Sequence, residues 1–268
     1  LTTTGRWFVA QRGRAVSLVV LGHHGAEATI PLAFATLTIA YGYRMGWTVA
    51  AIVLLVVGLP FAYWCYHKPR VPLGQRSAEE LTVPEVRSWT RREVLSDPIF
   101  WLLLTGVLVP AFIGTTVFYH QNYLTELHDW PPQIFAVSLV IMALTTVGCS
   151  LVAGAAIDKF GARMVLPYFL LPLSGACFFL GSSGSEETLF FVMVLLGISY
   201  GISSTLFGSL WPDIYGTANL GAIRSITVSA AVLSTAAGPG ITGTLIDRGI
   251  DLPAQMVFFG AYCLLAAG

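Results

Sequence analysis

The stretch SLVVLGHHGAEATIPLAFATLTIA, Ser17 to Ala40, sets two imidazoles and a carboxylate, His23, His24 and Glu27, in the middle of an apolar run. His23 and Glu27 are four residues apart and His24 and Glu27 three apart, so on a helix all three share one face. Two histidines and a carboxylate are ligand types that suit zinc, although one helix rarely supplies a full set. The same groups can instead form a hydrogen-bonded cluster between helices. They can also line a water-filled path in which a solute is held or protons are exchanged. Three chemistries are therefore open at this point, and the surrounding elements must choose among them.

The surroundings are those of a membrane. Of 268 residues, 55% are hydrophobic and only 10% charged, with a mean hydropathy of +0.74. A soluble domain carries about 25% charged residues, so this chain cannot cover itself with a water-compatible surface. Its formal net charge of zero gives no pull toward nucleic acid, and none is expected as a partner. A helix needs roughly 20 apolar residues to cross the hydrocarbon layer. Six uncharged stretches meet or approach that length: Met45–Tyr66, Ile99–Tyr119, Trp130–Ile157, Met164–Ser185, Thr188–Pro212 and Ser225–Ile246. Leu252–Gly268 adds a seventh, and the run from about Ala15 to Tyr43 an eighth if its polar centre is tolerated. These runs are too long and too uniformly apolar for barrel strands of about 10 alternating residues. A backbone in lipid must satisfy its own hydrogen bonds. The expected fold is an all-α polytopic membrane protein with eight spans.

Charge sets its orientation. Twelve of the fourteen Lys and Arg residues fall in segments on one side of the spans, the cytoplasmic side by the positive-inside rule. Short loops predict that consecutive helices pack as antiparallel neighbours. The exception is the segment of about 30 residues from His67 to Asp97. There Thr82 with Glu85, and Thr90 with Glu93, have capping-box spacing. A short surface helix is expected around Thr90–Ser96, with Trp89 and Val94 toward the headgroups. The four cysteines, Cys65, Cys149, Cys177 and Cys263, have no CxxC spacing and read as apolar packing residues. The chain starts with Leu and stops inside an apolar run, so it reads as a piece of a longer protein.

Between the fourth and fifth spans the chain reads GAAIDKFGAR, in which Gly154, Asp158, Lys159, Gly161 and Arg163 fit G-x-x-x-D-[RK]-x-G-x-[RK]. This resembles the cytoplasmic loop signature of the major facilitator superfamily. RWFVAQRGRA, Arg6 to Ala15, is similar to the start of helix 5 in its monocarboxylate-transporter-like members. DPIFW (97–101) resembles the start of their helix 7, and GPGITGTLID (238–247) their helix 11. GYRMGW is similar to their F-G-W-R turn, with the Trp displaced and Arg44 ahead of it. The animal monocarboxylate carriers have an Asp and an Arg in helix 8. The corresponding Ile134–Ile157 has neither, so their substrate does not transfer.

The resemblance implies eight of twelve transmembrane helices, helices 5 to 12. Residues 1–66 would end the N-terminal half, 67–98 form the cytoplasmic inter-domain loop, and 99–268 form the six-helix C-terminal half. It implies a secondary active transporter of a small solute, an organic anion among the candidates. Alternating access in a cell inner membrane would be coupled to a proton or another ion. Asp158 of the gating motif is expected beside Gly13 and Arg14, with Gly154 allowing close helix approach and Gly161 a positive-φ turn. Helix 5 lines the cavity in this superfamily, which would put His23, His24 and Glu27 on the solute or proton path. His120, beside Gln121 and Asn122, is a second candidate nearer the outer surface. No P-loop GxxxxGK[ST] appears, and no cofactor and no enzymatic activity are expected. The competing readings are a membrane-embedded metal-dependent enzyme using His23, His24 and Glu27, and a receptor. The enzyme lacks matching ligands in other spans. The receptor lacks a signalling domain on the long loop.

Overall fold

The computed structural model describes residue 4, residue 8 and residues 11–67, 87–131 and 134–268, and among them every regular element is a helix. The side chains of Glu27, Ala28, Pro31, Leu32 and Ala35 lie outside the described residues, as does the Thr82–Glu85 pair.

Eight helices occupy the apolar runs among the described residues. They are α1 (Arg12–Tyr41), α2 (Tyr43–Tyr66), α4 (Pro98–Tyr119), α6 (Ile134–Phe160), α7 (Ala162–Ser182), α8 (Glu186–Tyr215), α9 (Leu220–Asp247) and α10 (Leu252–Ala267). Two short ones, α3 (Arg91–Ser96) and α5 (Gln121–Leu127), lie between them. Six of the ten, α2, α4, α6, α7, α8 and α9, are long and apolar enough to cross a membrane, and α10 is a shorter apolar helix. The chain is an integral, multi-pass membrane protein.

Local sequence sets the breaks. Gly42 at φ 82° and Gly161 at φ 85° take left-handed conformations at the joints between α1 and α2 and between α6 and α7. α7 begins with one α-turn and a 3₁₀ stretch, Leu166–Phe169, around Pro167 before becoming α-helical. Asp97 caps α4 by accepting from the Ile99 N–H at 3.0 Å, with Pro98 at the first helical position, where a missing N–H costs nothing.

The described residues form two compact units. One comprises those from Gly22 to His67, the rest of α1 together with α2. Its apolar side chains are exposed along α2, as lipid contact requires, and Phe34 meets Trp47 edge-on at 5.0 Å. The other unit comprises the described residues up to Leu21 and those from Arg87 onward. Leu173, Leu189, Val192, Met193 and Met256 are fully buried in its core.

Within this second unit the strongest helix pairs do not follow chain order, which corrects the expectation from loop length. α6 packs along α8, α4 along α9, and α7 along α10. The first two pairs run parallel. A Cβ on Gly197 would lie 2.7 Å from the Met142 carbonyl, and one on Gly201 2.6 Å from the Thr146 carbonyl, so register advances together on both chains. Likewise Ser234 donates to the Leu108 carbonyl at 3.1 Å, and Gly238 abuts the Phe112 carbonyl. Lipid offers apolar groups as good a home as another helix, so close van der Waals approach at small residues selects the partner. Short loops only limit how far apart the ends lie.

α3 has the expected reciprocal box. Thr90 Oγ1 accepts from the Glu93 N–H, and the Glu93 carboxylate accepts from the Thr90 N–H at 2.7 Å, which holds the Glu93 pKa below the ordinary carboxylate value. Val94, expected toward the headgroups, is instead completely buried with Phe100, Trp211 and Tyr215. The strap before it is fastened: the Trp89 N–H donates to the Tyr215 carbonyl, and Asn219 donates to the Trp89 carbonyl. That docking turns Val94 inward.

At the other end of this unit His128 stacks on Trp130 at 4.8 Å, and the Trp130 indole donates to the Gly184 carbonyl at 2.8 Å. Burial pushes the His128 pKa below its ordinary 6.5. A histidine held neutral in the fold binds its proton more readily when unfolded, so stability rises with pH in the interval just below 6.5 and is flat above it. The thermal midpoint should therefore drop on acidification below that value, and His128→Phe, which keeps the stack, should flatten the profile. An unchanged pH profile in the variant would remove His128 from this role.

Candidate functional site

α1 starts at Arg12, so the N–H groups of its first turn lack partners within the helix and carry the positive end of its dipole. Asp158, in the last turn of α6, satisfies two of them. Its Oδ1 accepts from the Gly13 N–H at 2.6 Å and its Oδ2 from the Arg14 N–H at 3.1 Å. The Arg14 guanidinium stands 3.8 Å from the same carboxylate. Asp158 thus caps a helix remote in sequence, and each charge-assisted bond of this kind contributes about 1.5–3 kcal/mol.

Two glycines make the approach possible. A Cβ on Gly13 would overlap the Gly154 carbonyl oxygen and stand 2.9 Å from Asp158 Oδ1; one on Gly154 would stand 2.6 Å from Ser17 Oγ and 2.9 Å from the Gly13 carbonyl. Gly161 then turns the chain into α7 with the positive φ expected of it.

A second ionic contact lies beside the first. Arg12 forms an ion pair with Asp213, in the last turn of α8, and Arg163 donates to the Asp213 backbone carbonyl at 3.1 Å. Arg12 and Asp213 are site residues that sequence reasoning missed. In the sequence Arg12 is one positive-inside charge among twelve, and Asp213 follows Pro212, where the uncharged run stops; the helix continues through Pro212 to Tyr215. Lys159 of the motif is exposed, its ammonium over the Phe160 ring at 5.1 Å.

The histidines lie elsewhere. His23 and His24 are on α1 with ring centroids 5.7 Å apart, His23 exposed and His24 half-buried. Glu27 falls on the same helix, with its side chain outside the described residues. Among the described residues no group of three or more His, Cys, Asp or Glu could hold a metal ion. His120, in the second unit, is buried at the C-terminal cap of α4. Its Nδ1–H donates to the Thr116 carbonyl at 3.0 Å.

A family model described as Major Facilitator Superfamily matches residues 1–239. A search of curated proteins finds no match to this chain.

Proposed function

Since the chain belongs to the major facilitator superfamily, a family of membrane transporters, we propose that it moves a small solute by alternating access, coupled to a proton or another ion. The observation that carries this reading is the Asp158 carboxylate bonded to the first-turn N–H groups of α1. A transporter of this kind needs a contact at one face of the membrane that is made in one state and broken in the other. A carboxylate on N–H groups suits that task, because water can replace every bond it loses. The neighbouring Arg12–Asp213 pair adds a second contact of the same character.

In this reading the end bearing Gly154, Asp158, Lys159, Gly161 and Arg163 is cytoplasmic, in a plasma membrane, and its closure accompanies the outward-open state. Residues 67–98 are the loop between halves, with 1–66 before it and 99–268 after it. His23, His24, Glu27 and His120 belong to the solute or proton path, and an organic anion is one candidate solute class. The monocarboxylate-like branch rests on the helix-start motifs.

Asp158→Asn tests the gate. An amide keeps one acceptor and loses the charge, which costs the closed contact about 1–2 kcal/mol and shifts the two-state ratio roughly 5–30-fold. Spin labels at Tyr41 and Arg248, in a cysteine-free background, should report a smaller outward-open fraction. An unchanged distance distribution together with unchanged uptake would reduce Asp158 to a loop residue.

A further inference from the structure

Most described basic side chains have a visible place for their charge. Arg12, Arg14 and Arg87 face Asp213, Asp158 and Glu93. Arg163 donates to a backbone carbonyl, Arg44 lies beside Tyr43, and Arg91, Arg92, Lys159 and Arg248 are exposed to solvent. Arg224 differs. It is half-buried, its Nη1 is sealed from solvent, and that nitrogen has no hydrogen-bond acceptor among the described residues.

Its position on α9 explains the burial. Leu220, Ile223, Thr227 and Gly238 form the buried stripe of this helix, and Arg224 sits on that stripe, four residues after Leu220. Thr227, next along it, turns its hydroxyl to the Arg224 carbonyl at 3.1 Å. A half-buried guanidinium with one sealed, idle N–H donor is costly unless something answers that donor. Its planar fork matches a carboxylate or a phosphate better than any other group.

We propose that Arg224 is an oxyanion-binding residue, taking the carboxylate or phosphate of an anionic ligand at the start of α9. Two sources offer that chemistry: a soluble anion, the carried solute included, and the phosphate of an anionic phospholipid headgroup. The proposal does not rest on the transport reading, because binding is read here in protein that transports nothing.

The test is thermal unfolding of the full chain in maltoside micelles, titrated separately with inorganic phosphate, succinate and phosphatidylglycerol. Wild type should be stabilised by at least one of the three. Arg224→Gln and Arg224→Leu should need at least tenfold more of it while unfolding, ligand-free, no earlier than wild type. A response to phosphate or succinate identifies a soluble anion; a response to phosphatidylglycerol alone identifies a headgroup. Equal responses in wild type and both variants, or no response to any probe, would overturn the proposal. So would loss of the fold, or a lower ligand-free midpoint, in both variants, since either assigns Arg224 a structural partner.

Discussion

Gly13→Ala is expected to abolish the Asp158 contact and with it the state that the contact closes. The new methyl meets the Gly154 carbonyl oxygen, a backbone atom that cannot swing away as a side-chain tip can, with Asp158 Oδ1 only 2.9 Å off and Ile157 Cβ at 3.0 Å. Overpacking of this kind costs about 1–3 kcal/mol. Moving α1 back to relieve it also stretches the bonds from the Gly13 and Arg14 N–H groups to a charged acceptor, about 1.5–3 kcal/mol for each bond lost. The closed state should thus lose about 4 kcal/mol, close to a thousandfold in population. Solute uptake should fall below detection, and the Tyr41–Arg248 distance distribution should collapse to one population. Gly148→Ala is the control: also a helical glycine, it has nothing within 4 Å of its would-be Cβ. Helix propensity alone favours that change by up to about 1 kcal/mol. If Gly13→Ala keeps both distances and half or more of the uptake, the close approach is not part of the cycle.

The contrast between these glycines shows what a sequence can and cannot carry. Length and hydropathy located the spans, because hydrocarbon thickness is a one-dimensional constraint. The chemistry of caps was equally legible: Thr90 with Glu93 and Asp97 with Pro98 act through neighbours in sequence, and both caps are present. Which helix meets which was not legible. Nothing along the chain says that Gly197 rests on Met142 or that α4 pairs with α9, since that depends on which small residues meet in three dimensions. Val94 went astray for the same reason. On an isolated amphipathic turn it belongs with lipid, and only the docking of Trp89 on Tyr215 turns it inward. The Asp158 site was legible because its loop motif is a contiguous signature. Asp213 was not, because its partner Arg12 lies two hundred residues and more away in sequence. Arg224 escaped because a lone arginine at a helix start reads as an ordinary positive-inside charge. Only its sealed and unanswered Nη1 sets it apart.

Glu27→Gln is expected to end proton-driven accumulation of solute while leaving solute binding within about threefold, a change below 1 kcal/mol. Gln keeps the shape and a hydrogen-bonding carbonyl but cannot exchange a proton. If the carboxylate on α1 is the coupling group, the variant should still catalyse solute exchange across the membrane without accumulating solute against a gradient. His23 and His24, one turn earlier on the same helix, are the groups through which its proton would pass. A purely structural cluster predicts the reverse order of damage. Gln would then be tolerated, and Glu27→Ala would lower the thermal midpoint, because donors on the imidazoles would lose their acceptor at about 1–3 kcal/mol. The decisive comparison is accumulation, exchange and thermal midpoint for Gln and Ala side by side, in proteoliposomes with and without an imposed pH gradient. Accumulation lost with exchange and stability retained in the Gln variant assigns the proton to Glu27. Normal accumulation in that variant excludes Glu27 as the essential carrier, and a destabilised Ala variant would then leave the interhelical cluster as the role of all three residues.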